Sequence, residues 1–303
     1  MARDWEQTFS TWYQRASDSE QSRYENTCKA INEALRDSPR LDDYTFAVYP
    51  KGSYPAFTNV VRDSDVDIAV ELTTFFSNRF VRDAAGLTID DVGVTPYTGT
   101  ATLAGFKDAV ELALIDAFGP AAVDRGNKAI HIRESSRSLK ADVVPCVTIR
   151  TWTAMHSYRT GIKLRNDARP EQVILNYPKQ HLEEGTRKND ITRRRYKRVV
   201  RILKRLENEM VDNRVITEVP SFLIESAVYN VPNGGFAANT WTERVEKALT
   251  HIYNGTTSDE CIESEDWLEV SRCKYLFFNG QAWTVQTAND FALAAWRYVG
   301  FGS

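Results

Sequence analysis

Apolar residues recur at helical spacing near both ends of the chain and at strand spacing between them. Trp5, Phe9 and Trp12 fall at i, i+4 and i+7, and Tyr24, Cys28, Ile31 and Leu35 repeat the pattern. Between them Ser17-Asp18-Ser19-Glu20 has the spacing of a capping box, so two helices are predicted within residues 1–36. Tyr44 to Tyr49 is a short β-rich run. From position 65 the chain alternates: Val66, Ile68, Val70 and Leu72 form an apolar face, and Asp65, Asp67, Ala69 and Glu71 form the other. This strand and the preceding one read as a hairpin-like pair joined by Lys51-Gly52-Ser53-Tyr54. Residues 73–98 lose the alternation and read as irregular.

Leu103, Phe106, Val110, Leu114 and Phe118 predict a helix over 100–118, stopped by Gly119-Pro120. Arg125-Gly126-Asn127 reads as a turn before a strand at Ala129–Arg133, and Leu139–Val147 as the next strand. Pro145 has no N–H to donate, which places that strand at a sheet edge or ends it. Residues 151–190, punctuated by Gly161, Pro170, Pro178 and Gly185, read as loop. After Ile191 the pattern is helical. Tyr196, Val199, Val200, Leu203, Leu206 and Met210 make one stripe, Pro220-Ser221 opens a helix through Tyr229, Trp241 to Ile252 is another, and Ala288–Val299 the last. The order predicts an α+β protein: a mixed-sheet lobe with N-terminal helices over 1–185, then a helical lobe over 186–303.

A chain of 303 residues has ample material for a core, and a net charge of −3 excludes a generally basic nucleic-acid binder while leaving room for a local basic patch. No apolar run reaches the length of a membrane span, and the N-terminus lacks a signal peptide's apolar core. Cys28, Cys146, Cys261 and Cys273 form no CxxC pair, so reduced thiols in a cytoplasmic protein are expected.

The candidate chemistry sits around the first predicted hairpin. Carboxylates at Asp65 and Asp67 share a strand face with Cα atoms roughly 6.6 Å apart, close enough to converge on one metal site. The Gly52-Ser53 turn offers backbone N–H groups and a hydroxyl to a phosphate. A third carboxylate, Asp142, lies between Ala141 and Val143 in a later strand, where burial is costly unless the charge is paired or bound to metal. Together they form a three-carboxylate set for two divalent cations.

These blocks resemble the nucleotidyltransferase superfamily of the DNA polymerase β type. The closer similarity is to the cGAS/DncV-like nucleotidyltransferases (CD-NTases) of bacterial anti-phage systems, in the CdnE-like clade with an asparagine in the base pocket. It is carried in order by Gly52-Ser53-Tyr54, Thr58-Asn59, Asp63-Ser64-Asp65-Val66-Asp67 and Ala141-Asp142-Val143-Val144. It continues through Asn176-Tyr177-Pro178-Lys179-Gln180-His181, Lys188-Asn189, Val200-Arg201-Ile202-Leu203-Lys204, Pro220-Ser221-Phe222 and Tyr229-Asn230-Val231-Pro232. The resemblance implies synthesis of a cyclic di- or oligonucleotide from nucleoside triphosphates with release of pyrophosphate. It implies Asp65, Asp67 and Asp142 as ligands of two Mg²⁺ ions, with Mn²⁺ as an alternative. Gly52, Ser53, Lys204 and Ser221 are then expected to hold the triphosphate, and Phe222 to stack on a base. Asn176 is associated with accepting a pyrimidine, because a side-chain amide offers donor and acceptor to the uracil edge. A uridine-containing product, cyclic di-UMP or cyclic UMP–AMP, made from UTP with or without ATP, is the expectation. Each of these residues also has an ordinary role open to it. Asn176 suits a turn before Tyr177-Pro178 and Ser221 a helix N-cap, Phe222 suits a core, and Lys204 suits a solvated helix face.

Ten Lys/Arg residues lie between Arg187 and Arg205, with Asp190 the only acid. Lys197, Arg201 and Lys204 share a helical face, read as a cationic wall toward phosphate, with Arg194, Arg195 and Arg198 in solvent or in pairs between lobes. A nucleic-acid groove is the other reading, but the zinc-binding insertion of the animal relatives is absent, so no DNA trigger is expected. A monomer, open to regulatory protein partners, is expected. Two rivals stand beside cyclisation: a template-independent nucleotidyltransferase acting on RNA, protein or a small molecule, and a silent nucleic-acid-binding module on the same fold.

Overall fold

The computed structural model describes residues 3–60, 65–257, 267–278 and 280–302. Asp63 and Ser64 of the Asp-rich block, and Cys261, lie outside the described residues. Contacts divide the chain into two compact units: residues 17–54 with 65–178, and residues 1–16 and 55–64 with 179–303. This grouping differs from a division at 185/186 by assigning the first helix and the segment after Tyr54 to the helical unit.

The first unit is built on a mixed sheet. Its strands are β1 (Phe46–Lys51), β2 (Val66–Phe80), β3 (Val123–Arg125), β4 (Ile130–Ile132), β5 (Ala141–Ala154), β6 (Ser157–Leu164) and β7 (Ile174–Asn176). The order is β1-β2-β5-β4-β3, with β6 joining β5 beyond the end of β4 and β7 joining β6. Among the described residues only the β2–β5 pairing is parallel. Helix α2 (Asp18–Arg36) of this unit and helix α1 (Trp5–Trp12) of the helical unit start at Ser17 and Asp4, whose side chains cap Glu20 and Gln7. A single helical turn, α3 (Ser53–Ala56), follows β1, and α4 (Leu103–Phe118) precedes β3. Val66, Ile68, Val70 and Leu72 enter a core with Ile31 and Leu35 of α2 and Phe106, Val110 and Leu114 of α4, as the alternation predicts.

Three expectations are corrected. Residues 73–80 are not irregular but continue β2; a register shift against β5 between Leu72 and Phe76 breaks the two-residue alternation that would have revealed them. Strand β5 is central and runs through Pro145 to Ala154. Val66 N–H donates to the Lys140 carbonyl (2.9 Å), so alternate residues from Lys140 onward turn their backbone polar groups to β2. Pro145 therefore turns its missing N–H to the other side, where pairing with β4 ends at Val143 and pairing with β6 begins at Cys146. Residues 151–190 hold the end of β5, then β6, β7 and α5 (Pro178–Ile191) rather than loop. Gly161 sits inside β6 because a Cβ there would lie 2.7 Å from the Asn176 carbonyl oxygen and from the Tyr177 ring.

The second unit is helical. Phe9 of α1 packs with α6 (Tyr196–Asp212), α7 (Ser221–Asn230), α8 (Trp241–Gly255) and α9 (Val285–Val299) in one core that includes Val199, Val200, Leu203, Leu206, Val245, Leu249 and Phe291. Thr240 and Thr284 open α8 and α9 with capping boxes. Among the described residues no helix is long and apolar enough to cross a membrane. Cys28 and Cys146 are free thiols.

Candidate active site

The sheet register sets four polar side chains in one row. Lys51 of β1 pairs with Asp67 of β2, Asp67 with Asp142 of β5, and Asp142 with His131 of β4. Residues in register on neighbouring strands point to the same face, and adjacent strands lie about 4.8 Å apart, so the carboxylates of Asp67 and Asp142 stand side by side. Each holds a cationic or polar neighbour from the outer strand. Lys51 Nζ donates to Asp67 Oδ1 (2.9 Å), and His131 Nδ1 lies 2.6 Å from Asp142 Oδ1. Asp65, just before β2, accepts from Lys140 Nζ (2.6 Å). The three carboxylates remain partly exposed, at 38%, 34% and 27% for Asp65, Asp67 and Asp142. A cavity of about 580 Å³ opens beside Asp142 and His131, with Asn127, Lys128, Asn166 and Arg169 also in its wall.

Gly52 completes this corner. Its φ is +76°, and a Cβ built on it would meet Asp67 Oδ2 at 2.3 Å. Only glycine supplies both the left-handed backbone and the room for the carboxylate. Ser53 begins α3 directly after it. Tyr54 fixes the turn from the other side: its ring stacks on Tyr24 at 4.7 Å and its hydroxyl donates to Glu20 Oε1 (3.0 Å).

Asn176 is the last residue of β7, in register with Ile162, rather than a turn residue. It is half-buried, and among the described residues its side-chain amide makes no hydrogen bond.

In the helical unit Lys204 is not on a solvated face. It is 2% exposed and donates to Glu225 Oε2 (3.1 Å). Glu225, itself buried, also accepts from Thr58 Oγ1 (2.7 Å) and lies 3.0 Å from His181 Nε2. Burial acts to raise the Glu225 carboxyl, but Lys204, His181 and Thr58 outweigh it and hold it well below the usual carboxylate range. Ser221 is the first residue of α7 and not its N-cap; that position belongs to Pro220. Phe222 is half-buried, with its ring 5.8 Å from those of His181 and Trp283.

Sequence reasoning quoted Lys51, Thr58 and His181 without giving them a role, and it missed His131, Lys140 and Glu225 altogether. His131 carried a signal, a lone polar residue between Ile130 and Ile132 in a strand, and so did Glu225, a lone acid in the apolar run from Phe222 to Val228. Their partners follow only from register and packing.

Hard divalent cations take oxygen ligands, and three carboxylates on adjoining backbone positions are suited to them. Among the described residues no three His, Cys, Asp or Glu side chains are gathered tightly enough for one ion; each carboxylate is turned to its own basic neighbour instead. The donor chemistry fits such an ion, and Gly52 leaves open the space beside Asp67 that any side chain would fill.

Known proteins match this arrangement along its whole length. The C-terminal helical domain of cGAS/DncV-like nucleotidyltransferases matches residues 183–300. A cyclic dipyrimidine nucleotide synthase, CdnE, of Cecembia lonarensis is 34% identical over 304 residues, covering 99% of this chain and 100% of that one. The solved CdnE cyclic dinucleotide synthase of Elizabethkingia meningoseptica with GTP and Apcpp is 30% identical, with a TM-score of 0.79 over 98% of this chain and 99% of that one. The Rhodothermus marinus CdnE c-UMP-AMP synthase with Apcpp and Upnpp is 26% identical, with a TM-score of 0.81 over 98% and 97%. With full-length similarity of this order, the chain belongs to the cGAS/DncV-like nucleotidyltransferases and is an enzyme that makes cyclic oligonucleotides from nucleoside triphosphates.

Proposed function

We propose that the product is a uridine-containing cyclic dinucleotide, cyclic di-UMP or cyclic UMP–AMP, made as a signal in anti-phage defence. In each transfer a ribose hydroxyl oxygen bonds to the α-phosphorus of a second nucleotide. The bond from that phosphorus to the pyrophosphate oxygen breaks, and the hydroxyl loses its proton. A second transfer closes the ring.

The observation that carries the catalytic assignment is the in-register pair Asp67–Asp142 beside Gly52. Enzymes of the family use divalent metal ions. Mg²⁺ held by Asp65, Asp67 and Asp142, with Mn²⁺ as a substitute, would supply positive charge against the charge that develops on the phosphate oxygens. Lys51, Lys140 and His131 set where the three carboxylates point. Gly52 lets backbone approach a phosphate closely, and Ser53 adds a hydroxyl. Ser221 and Phe222 are the helical unit's contacts to nucleotide in this reading. Lys204 acts through Glu225, whose place on the first turns of α7 it holds.

The base assignment rests on Asn176. Its amide is free of partners among the described residues, and it offers a donor and an acceptor to the edge of uracil. The Cecembia lonarensis and Rhodothermus marinus relatives, named for pyrimidine-containing products, support it. Purified protein incubated with the four nucleoside triphosphates and Mg²⁺, followed by mass spectrometry of the nuclease-resistant product, tests it. A uridine-containing ring is expected; consumption of purines alone would refute the base assignment.

A further inference from the structure

The basic run at the start of α6 does something that a solvated face does not. Lys197 and Arg201 are 7% and 4% exposed, and both line a cavity of about 660 Å³ with Arg15, Arg194 and Arg198. Among the described residues Asp190 is the only acid in its wall. None of the five cations has a carboxylate at ion-pair distance among the described residues. Arg201 donates instead to the backbone carbonyls of Tyr13 and Phe57, and Lys197 reaches Thr186 Oγ1 at 3.4 Å. Arg15 lies over the Phe57 ring (4.3 Å) and Arg198 over Tyr13 (5.0 Å).

Such a cluster is costly. Buried charge is expensive unless paired, and here like charges repel one another as well. Burial, then Arg15, Arg198 and Arg205, bring the Arg201 guanidinium down to about 9, and burial lowers Lys197 too. The first turn of α6 carries no acidic residue to complement the helix dipole. All three costs would be relieved by a compact anion. The cavity has the volume of a small-molecule site and gathers two buried cations, Lys197 and Arg201, in its wall, which suits a compact ligand better than a long duplex. Phe57, 41% exposed, offers a ring face beside the charges.

We propose that this cavity is a second anion site, taking a nucleotide-type ligand with its phosphates on Lys197, Arg198 and Arg201 and its base against Phe57.

Calorimetric titration of the full chain with inorganic tripolyphosphate and with ATP, in EDTA so that no turnover occurs, tests it independently of which product the enzyme makes. The wild type is expected to bind both. The double variant Arg15→Ala/Arg198→Ala, folded by circular dichroism and melting temperature, is expected to bind each about tenfold or more weakly, given the strength of charge-assisted hydrogen bonds. Arg15→Lys/Arg198→Lys is expected to retain most of the affinity, and Phe57→Ala to weaken ATP but not tripolyphosphate. Unchanged affinity of the double alanine variant for both probes overturns the proposal. So does loss of binding to a short RNA duplex alone, which would make the face a nucleic-acid surface. If Phe57→Ala leaves ATP unaffected, the nucleotide assignment falls.

Discussion

A methyl group on Gly52 would sit 2.3 Å from Oδ2 of Asp67, closer than any real contact allows. Either the loop or the carboxylate must then move. With φ at +76°, alanine also carries a backbone cost of about 1–2 kcal/mol. Gly52→Ala is expected to leave the fold intact, with a melting temperature lowered by a few degrees. Pyrophosphate release should fall about a hundredfold, as displacement of a reacting group by about 1 Å commonly does. Paired measurements of melting and of pyrophosphate release separate the two effects.

Glu225 gives the protein an acid-sensitive contribution to stability. Its folded-state pKa lies below its ordinary value of 4.5, so an unfolded chain takes up the proton first. The contribution is full above 4.5 and is lost as pH falls below it. Urea midpoints of the wild type should therefore drop on acidification from about pH 5. Glu225→Gln leaves Lys204 buried without its counter-charge and should cost about 3–5 kcal/mol at neutral pH. Its urea midpoint should depend less on pH in the acid range; a dependence equal to the wild type's would remove Glu225 as the source.

Asn176 should govern base choice without governing chemistry. Losing one or two hydrogen bonds to a base costs about 1–2 kcal/mol, or roughly tenfold. Asn176→Ala is expected to lower the use of UTP relative to ATP by that factor, read in competition between the two. Gly161→Ala presses a Cβ within 2.7 Å of the Asn176 carbonyl and the Tyr177 ring, and so should alter the same selectivity from a residue that offers no side chain to the ligand.

What the sequence shows and hides follows from what is local. The alternation over Val66–Leu72 placed Asp65 and Asp67 on one face, and helical spacing placed α1, α2, α6 and α8 within a few residues. The partners of Lys51 and His131 were illegible because they depend on register across four strands. The second half of β2 was hidden by a bulge, and the turn between β5 and β6 by Met155-His156, which carries no turn signature. Lys204 was read as a phosphate contact, with a solvated face as its ordinary alternative, because charge ordinarily marks exposure. Helix α6 is buried over most of its circumference, so its lysine and arginine lie inside. Pro145 misled because a proline's cost depends on which side its missing N–H faces.

The central claim is that Asp65, Asp67 and Asp142 carry the transfer. It is tested most directly by pyrophosphate release from nucleoside triphosphates and Mg²⁺, measured for the wild type and for Asp65→Asn/Asp67→Asn with its fold verified. Loss of release to background is the predicted result, and release at the wild-type rate would contradict the account.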